Sequence, residues 1–481
     1  MTEIEALPIQ WSWTKLGEIF HWGSGGTPLS TNASFYDGDI PWAIIGDLND
    51  GVVNKTARNI SDSGLTNSSA KWVEPGSILL AMYGSIGKLG IAGTRMTTNQ
   101  AIAFTNPQSI NGKYLFYYLL KERANLLSLG SGNTQRNISQ TVIKAYPFPL
   151  APLPEQNRIV TKLDELFSKI DASEQALKRA QIHLKQYRQS VLQSAVTGEL
   201  TREWREAHRS ELEPASELLA RICAERRRRW EETKRAKRKD LSGLVYEEWE
   251  SPDRSGLPDL PEGWCWANIG SLFDVSIGST PSRGKQEYWA GTIPWVSSGE
   301  VAFCRIHDTK EKITKKGLEN SSVKIHPAGT VLLGMIGEGK TRGQAAILDI
   351  EAGTNQNIAA ILVPLTPIKP EWLFYWFLLK YSETRKSGSG GMQYALNSER
   401  VKNLLVIIPP LVEQERIISE IERKFSICDH LEKSINNSLL LAHNARKTIL
   451  ARAFSGQLVF QDPNDEPASI LLERIQVGKP G

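Results

Sequence analysis

A chain that carries one module twice must fold into two similar bodies and must connect them. Here Leu7–Trp13 (LPIQWSW) returns as Leu260–Trp266 (LPEGWCW), 253 positions later. At the same offset Gly25 and Thr27-Pro28 meet Gly278 and Thr280-Pro281, and Ile40–Trp42 meets Ile293–Trp295, both reading IPW. Thr98–Ile102 (TNQAI) then meets Thr354–Ile358 (TNQNI) after a small insertion. At an offset of 258, Pro152–Val160 (PLPEQNRIV) meets Pro410–Ile418 (PLVEQERII). Even the tail repeats, Glu213–Ile222 (EPASELLARI) against Glu466–Ile475 (EPASILLERI). A length of 481 residues is too great for a single core, and the repeat sets the number of large bodies at two.

Hydrophobic residues make up 40% of the chain, with 14 Trp, 13 Phe and 12 Tyr, which supports packed cores and excludes a disordered chain. There is no run of about 18 apolar residues, and the N-terminus MTEIEALPIQ lacks a signal-peptide pattern. The chain therefore reads as soluble and cytoplasmic, with no membrane partner. Its four cysteines (Cys223, Cys265, Cys304, Cys428) have no paired spacing, which argues for buried free thiols over a disulfide framework or a zinc site. The net charge of +4 is compatible with nucleic acid without pointing to it. Its distribution says more. Between Arg221 and Lys239 lie ten Lys or Arg against three Glu, including the run Arg226 to Arg229. That segment reads either as a solvated helical face or as a phosphate-contacting element.

Short apolar runs between Gly, Pro, Asn and Ser clusters read as strands, such as Ile78–Gly84 and Ala101–Phe104. A helix follows over Lys113–Leu127, with its copy at Glu371–Thr384. The mixture predicts an α+β class built from two repeated α/β units. After each unit comes a long helix. Ile159, Leu163, Leu166, Ile170, Leu177 and Leu184 recur in steps of three, four and seven and predict a heptad seam on the first. Ile417, Ile421, Leu431 and Ile435 predict a poorer seam on the second, weakened by Lys424 and Ser438. Gly198 and Gly456 serve as C-terminal stops. Roughly 40 residues make a rod on the order of 60 Å. The economical partner for each apolar stripe is the other helix, paired antiparallel as a coiled coil with a pseudo-twofold relation between the units.

One string looks enzymatic. Gly334–Thr341 (GMIGEGKT) fits the phosphate-cradling loop of nucleotide hydrolases. That loop must open a helix, yet RGQAAILDIEAG follows with Gly343 and the β-like Ala345–Ile350. The copy, Ala81–Gly90 (AMYGSIGKLG), lacks the first Gly and the Thr. A hairpin is the better reading. Gly84, Gly87 and Lys88 in one copy, and Gly337, Gly339, Lys340, Arg342 and Gln344 in the other, would form exposed basic hairpins able to approach phosphates and base edges. Arg95, Arg283 and Lys285 are further basic candidates. The Gly/Ser-rich loops Ser128–Ser139 and Lys386–Asn397 present Gln135, Arg136, Gln393 and Tyr394. Gln and Arg pair bidentately with adenine and guanine edges. The seven His show no metal or nucleophile arrangement, so the chain reads as a binder and not a catalyst.

Taken in order, the P-L-[PV]-E-Q-x-R-I start of each long helix, the G-S-G-x-x-Q loop before it and the S-x-L-L-x-R-I stretch after it are specific. Together they resemble the specificity subunit of type I restriction-modification enzymes, over the whole chain and in both copies. The resemblance implies target recognition domains at 1–151 and 260–408, spacer helices at 152–200 and 409–456, a basic helical linker at 201–259 and a tail at 457–481. It further implies a non-catalytic subunit that reads a split, asymmetric sequence in double-stranded DNA. Two modification (adenine methyltransferase) subunits and up to two restriction subunits are the implied partners. S-adenosylmethionine, ATP and magnesium would sit on those partners and none on this chain. A solitary or anti-phage DNA-binding protein built on the same module is the alternative, and a nucleotide hydrolase centred on Gly334–Thr341 is the reading from another class.

Overall fold

The computed structural model describes residues 7–131, 136–237, 246, 248–249, 252–253, 255–337, 339–386 and 396–477. It divides into two compact units, one of Met1–Arg179 with Ile435–Gly481 and one of Ala180–Ser434. Each unit thus holds one copy of the repeat together with part of both long helices.

The first unit is built on a five-stranded sheet, in the order Gly23–Ser24, Ile102–Thr105, Ile78–Ala81, Leu89–Ala92, Gly51–Val53. The ladder is antiparallel except for its last pair, Gly51–Val53 with Leu89–Ala92, which is parallel. The second unit repeats the order with Val275–Ile277, Ile358–Ile361, Val331–Gly334, Ala345–Leu348 and Cys304–Ile306, again ending in a parallel pair. A smaller sheet is built on Tyr36–Ala43 in one unit and Trp289–Val296 in the other. Because Val331–Gly334 and Ala345–Leu348 pair antiparallel, the segment between them joins the two strands of a hairpin, and no helix begins among its described residues. The reading as a nucleotide-binding loop fails on that geometry.

Behind each large sheet lies a helix, Gly112–Lys121 with six buried residues or Pro370–Leu379 with four. Its aromatic tips need acceptors, and both copies solve this alike. Tyr114 and Tyr118 donate to the carbonyls of Pro149 and Pro147 at 2.8 and 2.7 Å. Trp372 and Trp376 donate to Ile407 and Leu405 at 2.8 and 3.0 Å. The residues changed between the copies, and the hydrogen bonds did not.

The long helices run Leu153–Val196 and Leu411–Phe454, and in each unit they lie antiparallel. In the first unit Arg446 reaches Asp171 and Glu174 with its guanidinium 5.3 Å from the Phe167 ring. In the second, Arg188 reaches Asp429 at 2.6 Å and Glu432 at 3.0 Å, 5.6 Å from the Phe425 ring. The two sets are the same four positions at an offset of 258. Of the seam residues, Ile159, Leu163, Ile417, Ile421 and Ile435 are buried, and Leu166, Ile170, Leu177 and Leu184 are half-buried. Leu431 corrects the expectation, being 49% exposed. The face bearing Ile421, Phe425, Cys428 and Ile435 is the one turned inward, because Phe425 must also pack on Tyr375 of its own sheet-backing helix.

His326 joins the second unit's core through two backbone bonds with Ala352, at 2.9 and 3.1 Å. Its ring is buried and its Nε2 has no partner among the described residues. Burial, with help from Lys324, holds the imidazole pKa down to about 4. The unfolded chain titrates near its ordinary 6.5, so stability present above that pH drains away as pH falls toward 4, by on the order of 3 kcal/mol. His326→Gln should flatten this loss. Urea unfolding at pH 7 and pH 5 reads it, and an unchanged pH slope in the variant would refute the assignment.

Candidate nucleic-acid interface

Antiparallel strands bring their connecting loops to shared edges, and in both units one edge of the large sheet collects most of the candidate residues. In the second unit that edge carries residues 278–285 after Val275–Ile277, the turn 355–357 before Ile358–Ile361, and the hairpin loop 335–344. Arg283, Lys285, Lys340, Arg342 and Gln344 are thereby brought together. In the first unit the same edge carries residues 25–35, the turn 99–101 and the hairpin loop 82–88. Asn137 bridges Tyr83, and the Ile138 amide donates to Met82 at 3.0 Å, so Arg136 flanks this hairpin and is exposed. Gln135, Gln393 and Tyr394 lie outside the described residues.

The side chains at the edge are held to different degrees. Arg283 stacks 3.9 Å from the Trp289 ring centre and forks onto Glu311, whose hydrogen bond raises the guanidinium pKa. Lys285 donates to the Tyr288 hydroxyl at 3.0 Å. Lys340 is exposed, and its carbonyl accepts from the Tyr381 hydroxyl at 2.6 Å. Arg342 and Gln344 are half-buried.

Two sequence readings need correction. Lys88 is not an exposed cation at a hairpin tip: it is half-buried and its ammonium donates to the Ile45 carbonyl at 3.1 Å. Arg95 lies beyond the far end of Leu89–Ala92, on the opposite edge, where it stacks 4.3 Å over Trp72 and pairs with Glu74 at 3.0 Å. A strand of four residues separates the two, and counting basic residues along the chain does not reveal which end each occupies. Sequence reading also missed the clamp on each hairpin. Arg123 Nε donates to the Gly87 carbonyl at 2.8 Å, and Tyr381 does the same work for Lys340. Gly87 has φ +82, and a side chain there would meet Arg123 at 2.9 Å, so the close approach requires glycine. The signal was available in positional equivalence, Arg123 and Tyr381 being 258 apart.

The basic run resolves in part. Arg226 is an internal anchor, donating to the carbonyls of Gly270 and Ser271 and to Asp274 at 2.8 Å. Arg227 and Arg228 are laced to Glu231, Glu225 and Glu232 along the helix Ala215–Lys237. Such i,i+3 and i,i+4 pairs mark a solvated helical face. Arg238 and Lys239 lie outside the described residues. Among the described residues no helix is long and apolar enough to cross a membrane, and no His, Cys, Asp or Glu cluster could hold a metal.

A family model for the type I restriction modification DNA specificity domain matches residues 8–182 and again 261–441. The chain is 24% identical over 421 residues to the type I restriction enzyme EcoBI specificity subunit of Escherichia coli, covering 84% of this chain and 80% of that one. It is 24% identical over 481 residues to the EcoDI specificity subunit of Escherichia coli, covering 98% and 95%. The MjaIX specificity subunit of Methanocaldococcus jannaschii is 22% identical over 468 residues, covering 95% of each. Among solved structures, a chain described under complex assembly and conformational transition of the type I R-M system superposes with a TM-score of 0.69 at 16% identity, covering 95% of this chain and 100% of that one. The HsdS subunit from Thermoanaerobacter tengcongensis gives 0.54 at 17%, with the same coverage. Both structural likenesses speak to the fold. With two matches to one specificity domain spanning most of its length, the chain belongs to the type I restriction-modification DNA specificity subunits, whose task is sequence recognition and not catalysis.

Proposed function

We propose that the two units read two different halves of one split, asymmetric double-stranded DNA site, and that the antiparallel helices set the spacing between the halves. One observation carries this reading: scaffold hydrogen bonds repeat between the units while the charged side chains at the shared sheet edge do not. Arg283 has the uncharged Ser30 at its equivalent position, and Lys340 lies in a hairpin three residues longer than its counterpart, where Gly343 and not Lys340 answers to Gly87. Identical scaffolds with unlike edges suit two readers with different targets.

The chain also presents apolar side chains to solvent on the long helices. Ile182, Tyr187, Ile427 and Leu431 do so in one unit and Leu440 and Leu441 in the other, all more than 40% exposed. We assign these to partner subunits: two adenine methyltransferases gripping the helices, and up to two restriction subunits joining them. S-adenosylmethionine, ATP and magnesium would then belong to those partners, and the assembly to the cytoplasm.

Co-expression with neighbouring genes tests the assembly, with a methyltransferase recovered at two copies per chain as the expected result. Persistent isolation of this chain alone would favour a solitary DNA-binding protein. The interface has its own test. Lys340→Ala should weaken binding to all duplexes about 3–10-fold and lower the slope of log affinity against log salt by about 1. Unchanged affinity and slope would remove Lys340 from the interface.

A further inference from the structure

In the repeated turn Thr98-Asn99-Gln100 and its copy Thr354-Asn355-Gln356, the fold explains two residues of each three. Thr98 and Thr354 are fully buried, and the Asn99 and Asn355 side chains cap their own turns by accepting from the amides of Ala101 and Asn357 at 3.2 and 3.1 Å. Gln100 and Gln356 are exposed. Their neighbours at the next position differ, Ala101 against Asn357, while the glutamines do not. In each unit the glutamine Oε1 accepts from a threonine hydroxyl, Thr27 or Thr280. The threonine segments are themselves fixed in matching ways. The Gly26 and Ser279 amides donate to Thr98 and Thr354 at 3.0 and 2.8 Å, and the Trp42 and Trp295 indoles donate to the Gly26 and Ser279 carbonyls, both at 3.0 Å.

The pair therefore stands pre-positioned at the edge that gathers the candidate DNA contacts. With Oε1 occupied, the glutamine amide offers its Nε2 hydrogens outward, and no hydrogen bond uses them among the described residues. We infer that the Thr27–Gln100 and Thr280–Gln356 pairs each donate to the DNA sugar-phosphate backbone and seat the unit on the duplex without regard to sequence. This inference rests on the proposed DNA-reading function. A feature identical in both units cannot distinguish two half-sites, so it serves what the half-sites share. An amide whose oxygen already accepts and whose hydrogens have no partner among the described residues suits phosphate oxygens, and fixed contacts of this kind set register before bases are read.

Gln→Glu at both positions separates contact from scaffold. A carboxylate still accepts from the threonine, so the loop bond survives, while the outward donor becomes a like charge facing phosphate. The probe is a mixed-sequence 50-bp duplex bound by the full chain, with Gln108→Glu as the control for added charge, since that exposed residue follows the far end of Ile102–Thr105. The expected result is a loss of about tenfold or more for the Gln100→Glu, Gln356→Glu double variant, unfolding curves like the wild type, and at most a twofold loss for the control. Wild-type affinity in the double variant would overturn the inference and leave the pairs as loop staples. Unchanged mixed-sequence binding with altered target preference would overturn it in favour of base reading. If the wild type itself failed to bind duplex DNA, the DNA-reading function would fall first.

Discussion

Glu413→Ala should destabilise the second unit by on the order of 3–5 kcal/mol, read as a fall in the denaturant midpoint with little change in slope. The Glu413 carboxylate is fully buried at the start of the second long helix. It collects three donors: Trp264 Nε1 at 2.8 Å, Thr201 Oγ1 at 2.7 Å and Arg205 Nη1 at 2.8 Å. The Arg205 side chain is itself only 14% exposed. Removing the acceptor strands a buried cation together with two neutral donors, and that loss far exceeds the net value of the bonds themselves.

The first unit supplies the internal control. Glu155 stands at the equivalent position and is also fully buried, but accepts only from Trp11, at 2.9 Å, and its Oε1 has no partner among the described residues. Positions 459 and 463 hold Val and Pro where the second unit has Thr201 and Arg205, so the donors are missing. Burial raises the Glu155 pKa against the pull of Trp11 and Arg158. A carboxyl raised in the folded state contributes stability below its unfolded pKa, lost as pH climbs through the folded value. Glu155→Gln keeps an acceptor for Trp11 and removes the charge, so at pH 7 it should be neutral or slightly stabilising. Equal damage from the two substitutions would show that the networks are not what distinguishes the sites.

This contrast marks what the sequence makes legible. The E-Q dipeptide at the start of each long helix repeats as letters, and so do the tryptophans that reach it; the two bodies and their common fold follow from such matches. What the letters hide is which copy completes a network, because the answer lies in Thr201 and Arg205, some 200 residues from Glu413 in the chain. The helix seam misplaces Leu431 for a related reason. A heptad reading treats each long helix as having one partner, yet Phe167 packs 5.5 Å from Tyr117 and Phe425 packs 6.0 Å from Tyr375, each within its own unit. Two partners rotate the buried face, and Leu431 is left in solvent. At the candidate interface, residue type was readable but orientation was not: Lys88 and Lys340 sit in equivalent hairpins that differ in length by three residues, one half-buried against the Ile45 carbonyl and the other exposed.

Deleting residues 175–181 together with 436–442 should abolish tight binding to the natural site, with a loss of at least about 100-fold. The deletion removes two turns from each long helix and leaves both arginine clusters, Arg188 with Asp429 and Glu432 and Arg446 with Asp171 and Glu174, in place. Seven residues span about 10 Å of helix, close to three base-pair steps of DNA. If the helices set the spacing, the halves of the natural site no longer fall under both units at once, and forfeiting the contacts of one half-site costs several kcal/mol at about 1–3 per base pair. The preferred spacer should shorten by about three base pairs. The new optimum should also be weaker, since a heptad turns an α-helix by only about 20° net, whereas three base pairs rotate DNA by about a quarter turn or more. Selection from a library of spacer lengths reads both effects. A shortened chain that still preferred the natural spacer would refute the helices as the ruler, and would move the spacing to the linkers between helix and sheet.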